Sequence, residues 1–161
     1  MSNFKYKPTM DTKEKVLVAL KALGFKTDKL ETVAYGFHYE GKAFLFLPNE
    51  EDEEFLMITL PCVDLDDMDE QTLTKVADRM NACQKYIKTY TARGALEISY
   101  ERQLLGDEDL EKVIRNMLRS LEEGHFFLYH RLLRSDDGGD NEDSGNTDAS
   151  DTAEHSEEEK A

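Results

Sequence analysis

The stretch LPCVDLDDMDEQTL, Leu60 to Leu73, sets five carboxylates (Asp64, Asp66, Asp67, Asp69 and Glu70) within seven positions. Carboxylates at that density can hold a hard divalent cation, pair as general acid and base, or open a helix. A calcium loop counted from Asp64 would need an oxygen donor where Met68 stands, glycine where Asp69 stands and an acid where Lys75 stands. The helix reading meets no such obstacle. Leu73, Val76, Ala77, Met80 and Cys83 follow at helical spacing, so a helix is expected over roughly 67–84, with Asp67 as N-cap and Glu70 three residues on. Acids in a first turn complement the positive end of the helix dipole, at about 0.3–1 kcal/mol each.

Other chemistry-bearing residues yield to similar tests. DNEDSGNTDASD, Asp140 to Asp151, puts oxygen donors at loop positions one, three, five, nine and twelve and Gly145 at six. Its third position is Glu and its twelfth Asp, the eighth is Thr147 where an apolar residue belongs, and no helices flank it. Glu122 and His125 make one E-x-x-H, whereas a di-iron bundle needs two such motifs and two further glutamates on four long helices. His38 falls in a strand pattern, His125 and His130 in the last helix and His155 near the end, none beside a nucleophile elbow; Glu101 is a single strand carboxylate. No P-loop or G-x-G-x-x-G occurs. KYIKTYTAR mixes bases with aromatics, but hairpin alternation explains it as well as base stacking does. No catalytic, cofactor or metal residue is therefore assigned.

The elements around these residues are legible from period and punctuation. Asp11 and Glu14 form a capping box for a first helix with Val16, Leu17, Leu20 and Leu23 on one face, and Gly24-Phe25 stops it. Val33, Tyr35, Phe37 and Tyr39 alternate as a strand, Glu40-Gly41 turns, and KAFLFLP returns as the hairpin partner. FLMITLP is apolar almost throughout, which marks a central strand, and Pro48 and Pro61 close the second and third strands. After the acidic helix, YIKTYT and ALEISYE form a second hairpin around Ala92-Arg93-Gly94. Asp107 is expected to cap a last helix carrying Leu110, Val113, Ile114, Met117, Leu118 and Leu121, with Gly124 interrupting it before HFFLYHRLLR. The order α-β-β-β-α-β-β-α, with hairpins and no βαβ crossovers, predicts an α+β domain with an antiparallel sheet.

The 161 residues carry 35 Asp+Glu against 20 Lys+Arg, formally −15. Eleven of those acids and a single lysine fall between Ser135 and Ala161, leaving 24 acids against 19 bases for the rest. Residues 1–134 read as one domain and 135–161 as a disordered acidic tail, since a segment with no aromatic and no aliphatic beyond three alanines cannot offset its ordering entropy. A chain this acidic repels phosphate backbones, so nucleic acid is not expected as a partner. The leading lysines Lys5, Lys7, Lys13, Lys15, Lys21, Lys26 and Lys29 read as solvated, with attraction to the tail as the alternative. No stretch approaches the ~18–20 apolar residues of a membrane span and MSNFKYKPTM has no signal-peptide core, so a cytoplasmic chain without a membrane partner is expected. Cys62 and Cys83, without a CxxC pair, fit small hydrophobes in a reducing compartment.

FFLYHRLL, Phe126 to Leu133, is apolar on most sides of a helix end, which calls for burial by the sheet or by another chain. Phe126, Phe127, Tyr129 and Leu133 are candidate partner or dimer residues on that ground. The element order, DLDDMDEQTL, VADRMNACQKYIKTYT, and GALEISYERQLLG running into DEDLEKVIRNML resemble the YbjN-like group and the related type III secretion chaperones, over about 11–131. The resemblance implies a small acidic cytoplasmic protein, often a homodimer, without catalytic residues or cofactor. It further implies binding of extended segments of another protein, and dimer contacts through the middle helix and neighbouring strands. In this chain that places Val76, Met80, Leu96, Ile98 and Tyr100 near an interface. Two readings follow: a non-catalytic protein-binding module, chaperone- or regulator-like, or a small-ligand protein or enzyme whose site is assembled from scattered residues.

Overall fold

A computed structural model describes residues 11–49, 51–52, 54–62, 65, 68–92 and 94–134. Helix α1, Thr12–Ala22, starts where Asp11 accepts the Glu14 N–H at 2.7 Å. It ends at Gly24, whose φ of +86° only glycine adopts without strain, while the Phe25 N–H reaches back to the Leu20 carbonyl. The Phe25 ring then lands on Phe37 and Tyr39, at 5.3 and 5.7 Å between centroids, tying the turn to the sheet.

Six strands follow in an antiparallel sheet of order β1-β2-β3-β4-β6-β5. They are β1 (Asp28–Lys29), β2 (Tyr35–Tyr39), β3 (Lys42–Pro48), β4 (Phe55–Cys62), β5 (Ile87–Ala92) and β6 (Ala95–Gln103). The two-residue β1 was not expected from the sequence; it pairs Asp28 and Lys29 with Gly36 and Tyr35 at the edge. Val33 lies outside the strand its alternation suggested and is 56% exposed. Glu40 and Gly41 both take positive φ, 47° and 75°, the backbone a two-residue hairpin turn needs. β4 sits in the interior of the sheet, as its apolar run indicated, and passes through Pro61 to Cys62. Pairing with β3 ends at Thr59, so the N–H that Pro61 lacks is not missed there.

Helix α2 is Glu70–Cys83 and helix α3 Leu110–Phe127, continued by a π-helical turn, Leu128–Leu132. Both helices start two residues later than the sequence suggested. Asp69 rather than Asp67 caps α2, and Asp109 rather than Asp107 caps α3; in each case the later aspartate does the capping, accepting the N–H three residues on. Asp67 itself lies outside the described residues. Gly124 does not interrupt α3 but lies within it, against the sheet.

All three helices pack on one face of the sheet. Register places Phe37, Phe44, Phe46, Leu56, Ile58, Leu60, Leu96 and Ile98 on that inner face, where they join Val16 and Leu20 of α1, Leu73 and Met80 of α2, and Ile114, Met117 and Leu121 of α3 in one core. Gly124 sets α3 close against the sheet. A Cβ there would stand 2.5 Å from Ile87 Cδ1, with Ile98 and Met80 next.

Candidate protein-binding surface

Opposite the helices, alternate residues of the same strands form an outer face. In register these are Leu45 and Leu47 of β3, then Phe55, Met57, Thr59 and Pro61 of β4, then Glu97, Ser99 and Glu101 of β6, then Lys88 and Tyr90 of β5. None of the apolar ones belongs to the core, and no helix among the described residues covers them. The result is an apolar stripe along β3 and β4, half-buried by its own neighbours, beside an acidic stripe on β6. The acids are held in place. Lys88 reaches Glu101 at 2.5 Å, the Tyr90 hydroxyl donates to Glu97 at 3.2 Å, and the Gln103 amide donates to Glu54 at 2.8 Å. Burial, followed by the charge of Glu97, pushes the Tyr90 phenol above its ordinary value, so it stays a neutral donor. A groove of about 360 Å³ opens at one end of this face between Val33, Leu47, Phe55, Met57 and Glu101.

The residues singled out in the sequence divide by placement. Val76, Met80, Leu96 and Ile98 lie in the chain's own core, Val76 at 9% exposure and the other three at 0%. Helical and strand periodicity marks which side chains face inward, and inward here means toward this chain's own α3. Tyr100 is half-buried on the inner face and stacks on Tyr86, which is 74% exposed. Phe126 is 59% exposed and stacks on His130; Phe127, Tyr129 and Leu133 are half-buried against the core. The outer-face residues were missed, although the signal was present. KAFLFLP and FLMITLP are apolar at both parities, which implies apolar side chains on both sides of the sheet, and helices cover only one.

The strongest carboxylate shifts have structural causes. The Thr72 backbone N–H, then its hydroxyl, hold Asp69 below the usual carboxylate range. The Leu105 and Gly106 N–H groups, with Arg102 at 2.9 Å, do the same for Glu108 and pin the loop before α3. Burial, then Lys42 and His130, lowers His125, which faces Tyr129; its motif partner Glu122 is paired instead with Lys42 at 3.2 Å. Burial, then Glu97, pushes the Cys62 thiol up to about 12, so it is inert at neutral pH, while Cys83 is exposed. Among the described residues no group of three His, Cys, Asp or Glu is placed to hold a metal ion. Asp64, Asp66 and the 140–151 loop lie outside the described residues. No described helix is long and apolar enough to cross a membrane.

No family model matches the chain, and no curated protein matches it by sequence. Solved structures do match. A chain of the HopA1–SchA chaperone–effector complex superposes with a TM-score of 0.53 at 11% identity, covering 73% of this chain and 94% of that one. YbjN from E. coli gives 0.52 at 10% identity, over 71% and 86%. The fold is that of YbjN and the type III chaperones. An uncharacterized protein from Methanothermobacter thermautotrophicus shares it too, at 0.51 and 12% identity over 74% and 98%. In the YbjN-like fold of this chain, the sheet's helix-free face carries an apolar stripe that is only half-buried.

Proposed function

We propose that this chain is a non-catalytic protein-binding module, chaperone- or regulator-like, that takes an extended segment of another protein on the outer face of its sheet. The observation that carries the reading is the unpartnered stripe of Leu45, Leu47, Phe55, Met57 and Pro61 beside Glu97 and Glu101. A segment alternating apolar and basic side chains matches that pair of stripes, the apolar set seating on β3 and β4 and the bases on β6. The likeness to a chain from a chaperone–effector complex supports a protein as the partner, and YbjN, for which a role in transcription regulation has been suggested, supports the regulator variant. A homodimer, also implied by the resemblance, rests on a separate observation: Phe126 is exposed at the end of α3 with half-buried Phe127, Tyr129 and Leu133 behind it.

The test is affinity capture with the full chain and with Leu45→Asp and Met57→Asp. These sites lie outside the core, so circular dichroism should be unchanged while a captured partner is lost. Retention of the same partner by both variants sinks the reading. Self-association is checked by sedimentation equilibrium. Phe126→Asp is expected to shift any dimer toward monomer, whereas a dimer that ignores the change does not use this end of α3.

A further inference from the structure

Midway along the outer face, Thr59 of β4 stands directly opposite Ser99 of β6. Glu97 lies two residues back along β6 on the same side, opposite Tyr90 of β5. Thr59 and Ser99 are each only 1% exposed, although no described helix lies over them. Their cover is the Tyr90 side chain. Its hydroxyl donates to Glu97 at 3.2 Å, and the Thr59 and Ser99 hydroxyls stand close enough to the phenol to oppose its upward shift. The ring therefore reaches from the β5 edge across β6 toward β4.

This arrangement leaves two groups poorly served. Thr59 Oγ1 is buried and makes no hydrogen bond, a costly state for a hydroxyl. Glu97 is half-buried and forms no ion pair among the described residues, since Lys88, the base opposite Ser99, is already paired with Glu101. Ser99 Oγ donates to the Lys88 carbonyl at 3.5 Å and keeps its lone pairs. A phenol has one proton to give, and here it goes to Glu97. An ammonium at the same point has three, enough for Glu97, Ser99 and Thr59 together, and it carries the charge that Glu97 lacks a match for. A guanidinium holds its donors in a rigid planar fork and does not converge on three oxygens around one point. Nothing locks the ring in place. β5 ends the sheet, Tyr90 is 36% exposed, and a change of χ1 rotamer carries the ring outward past the edge.

We infer that Tyr90 is a removable plug, and that a lysine side chain of the partner's segment replaces its phenol, seating the ammonium among Glu97, Ser99 and Thr59. The inference rests on the outer face as the partner's seat and adds a preference to it: lysine over arginine at one position.

The probe is a synthetic heptapeptide alternating valine and lysine, titrated calorimetrically into the full chain beside the same peptide with arginine or with Nε-acetyl-lysine. The lysine peptide is expected to bind several-fold more tightly than either. Tyr90→Ala should tighten it further, because no ring has to be displaced. Thr59→Val and Glu97→Gln should each weaken it several-fold, with far-ultraviolet spectra unchanged. The nuclear Overhauser contact between the Tyr90 ring and the Thr59 side chain should be present in the free chain and vanish on titration. A contact that survives saturation overturns the proposal. So does equal affinity for the three peptides, or no binding of any. If the lysine peptide binds, is lost in Leu45→Asp and ignores both Tyr90→Ala and Thr59→Val, the plug is wrong and the binding face stands. If its dependence on Thr59 and Glu97 persists in Leu45→Asp and Met57→Asp, the lysine seat stands without the apolar stripe.

Discussion

A single missing methyl governs how α3 meets the sheet. Gly124 has ordinary helical φ, so its value lies in the space it leaves for Ile87 Cδ1. Gly124→Ala is expected to destabilise the fold by about 1–3 kcal/mol through overpacking. In an Ile87→Val background, which removes that δ-methyl, the same change should be neutral or stabilising by up to ~1 kcal/mol through helix propensity; urea denaturation of the four variants gives the coupling directly. His125 supplies a pH signature. Burial first, then Lys42 and His130, holds its folded value below the ordinary 6.5. The unfolded chain therefore takes up a proton that the folded chain refuses as pH falls through about 6.5, and stability drops. Melting at pH 7.5 and 5.5 should show this loss reduced in His125→Gln, and an unchanged difference would rule out His125 as its source. At this scale the sequence was readable in type and unreadable in register. Asp11 was placed correctly because one acid precedes α1, whereas the runs before α2 and α3 offer several, and only the backbone decides that Asp69 and Asp109 cap. The Gly124 contact was invisible, because glycine in a helix reads as a break until the opposing strand is known.

Among the elements, β5 is a free edge, and an open edge invites another strand. Asn81 of α2 closes it at the centre. Its side-chain oxygen accepts the Thr89 N–H at 2.7 Å and its amide donates to the Thr89 carbonyl at 2.8 Å, the two bonds a neighbouring strand would make. Asn81→Ala is expected to cost about 1–2 kcal/mol for the two lost bonds. It should also speed hydrogen exchange at the Thr89 amide and raise the rate of concentration-dependent aggregation by light scattering. An unchanged aggregation rate would show that the edge is guarded by something else. The hairpins themselves were plain in the sequence, since Gly41 and Gly94 each follow an alternating run and take positive φ. The pairing of β1 was not, because two residues, Asp28 and Lys29, carry no period. The edge guard escaped for another reason: an asparagine on the polar side of a helix looks like any solvated residue until its neighbour is a strand.

For the molecule as a whole, charge and burial are separable. The stretch beyond Arg134 holds eleven acids and no large apolar side chain, so its removal is expected to take away charge without taking away core. A chain ending at Arg134 should unfold in urea with an unchanged m-value and a midpoint that is equal or higher, the rise shrinking in salt as self-repulsion is screened. A smaller m-value would mean that the stretch buries surface after all. The α+β class and the interior place of β4 could be read directly; which face of β4 would stay open could not, because FLMITLP is apolar on both. The strand order also bears on synthesis. β6 slots between β4 and β5, although it leaves the ribosome after both of them. Until residue 103 has emerged, the most apolar strand of the chain has a neighbour on one side only, and a stalled or truncated nascent chain presents that bare flank to anything nearby. A ribosome pausing within α2 or β5 would therefore hold the chain at its stickiest moment, and synonymous codons that speed translation through 63–103 would be the gentlest way to raise its yield.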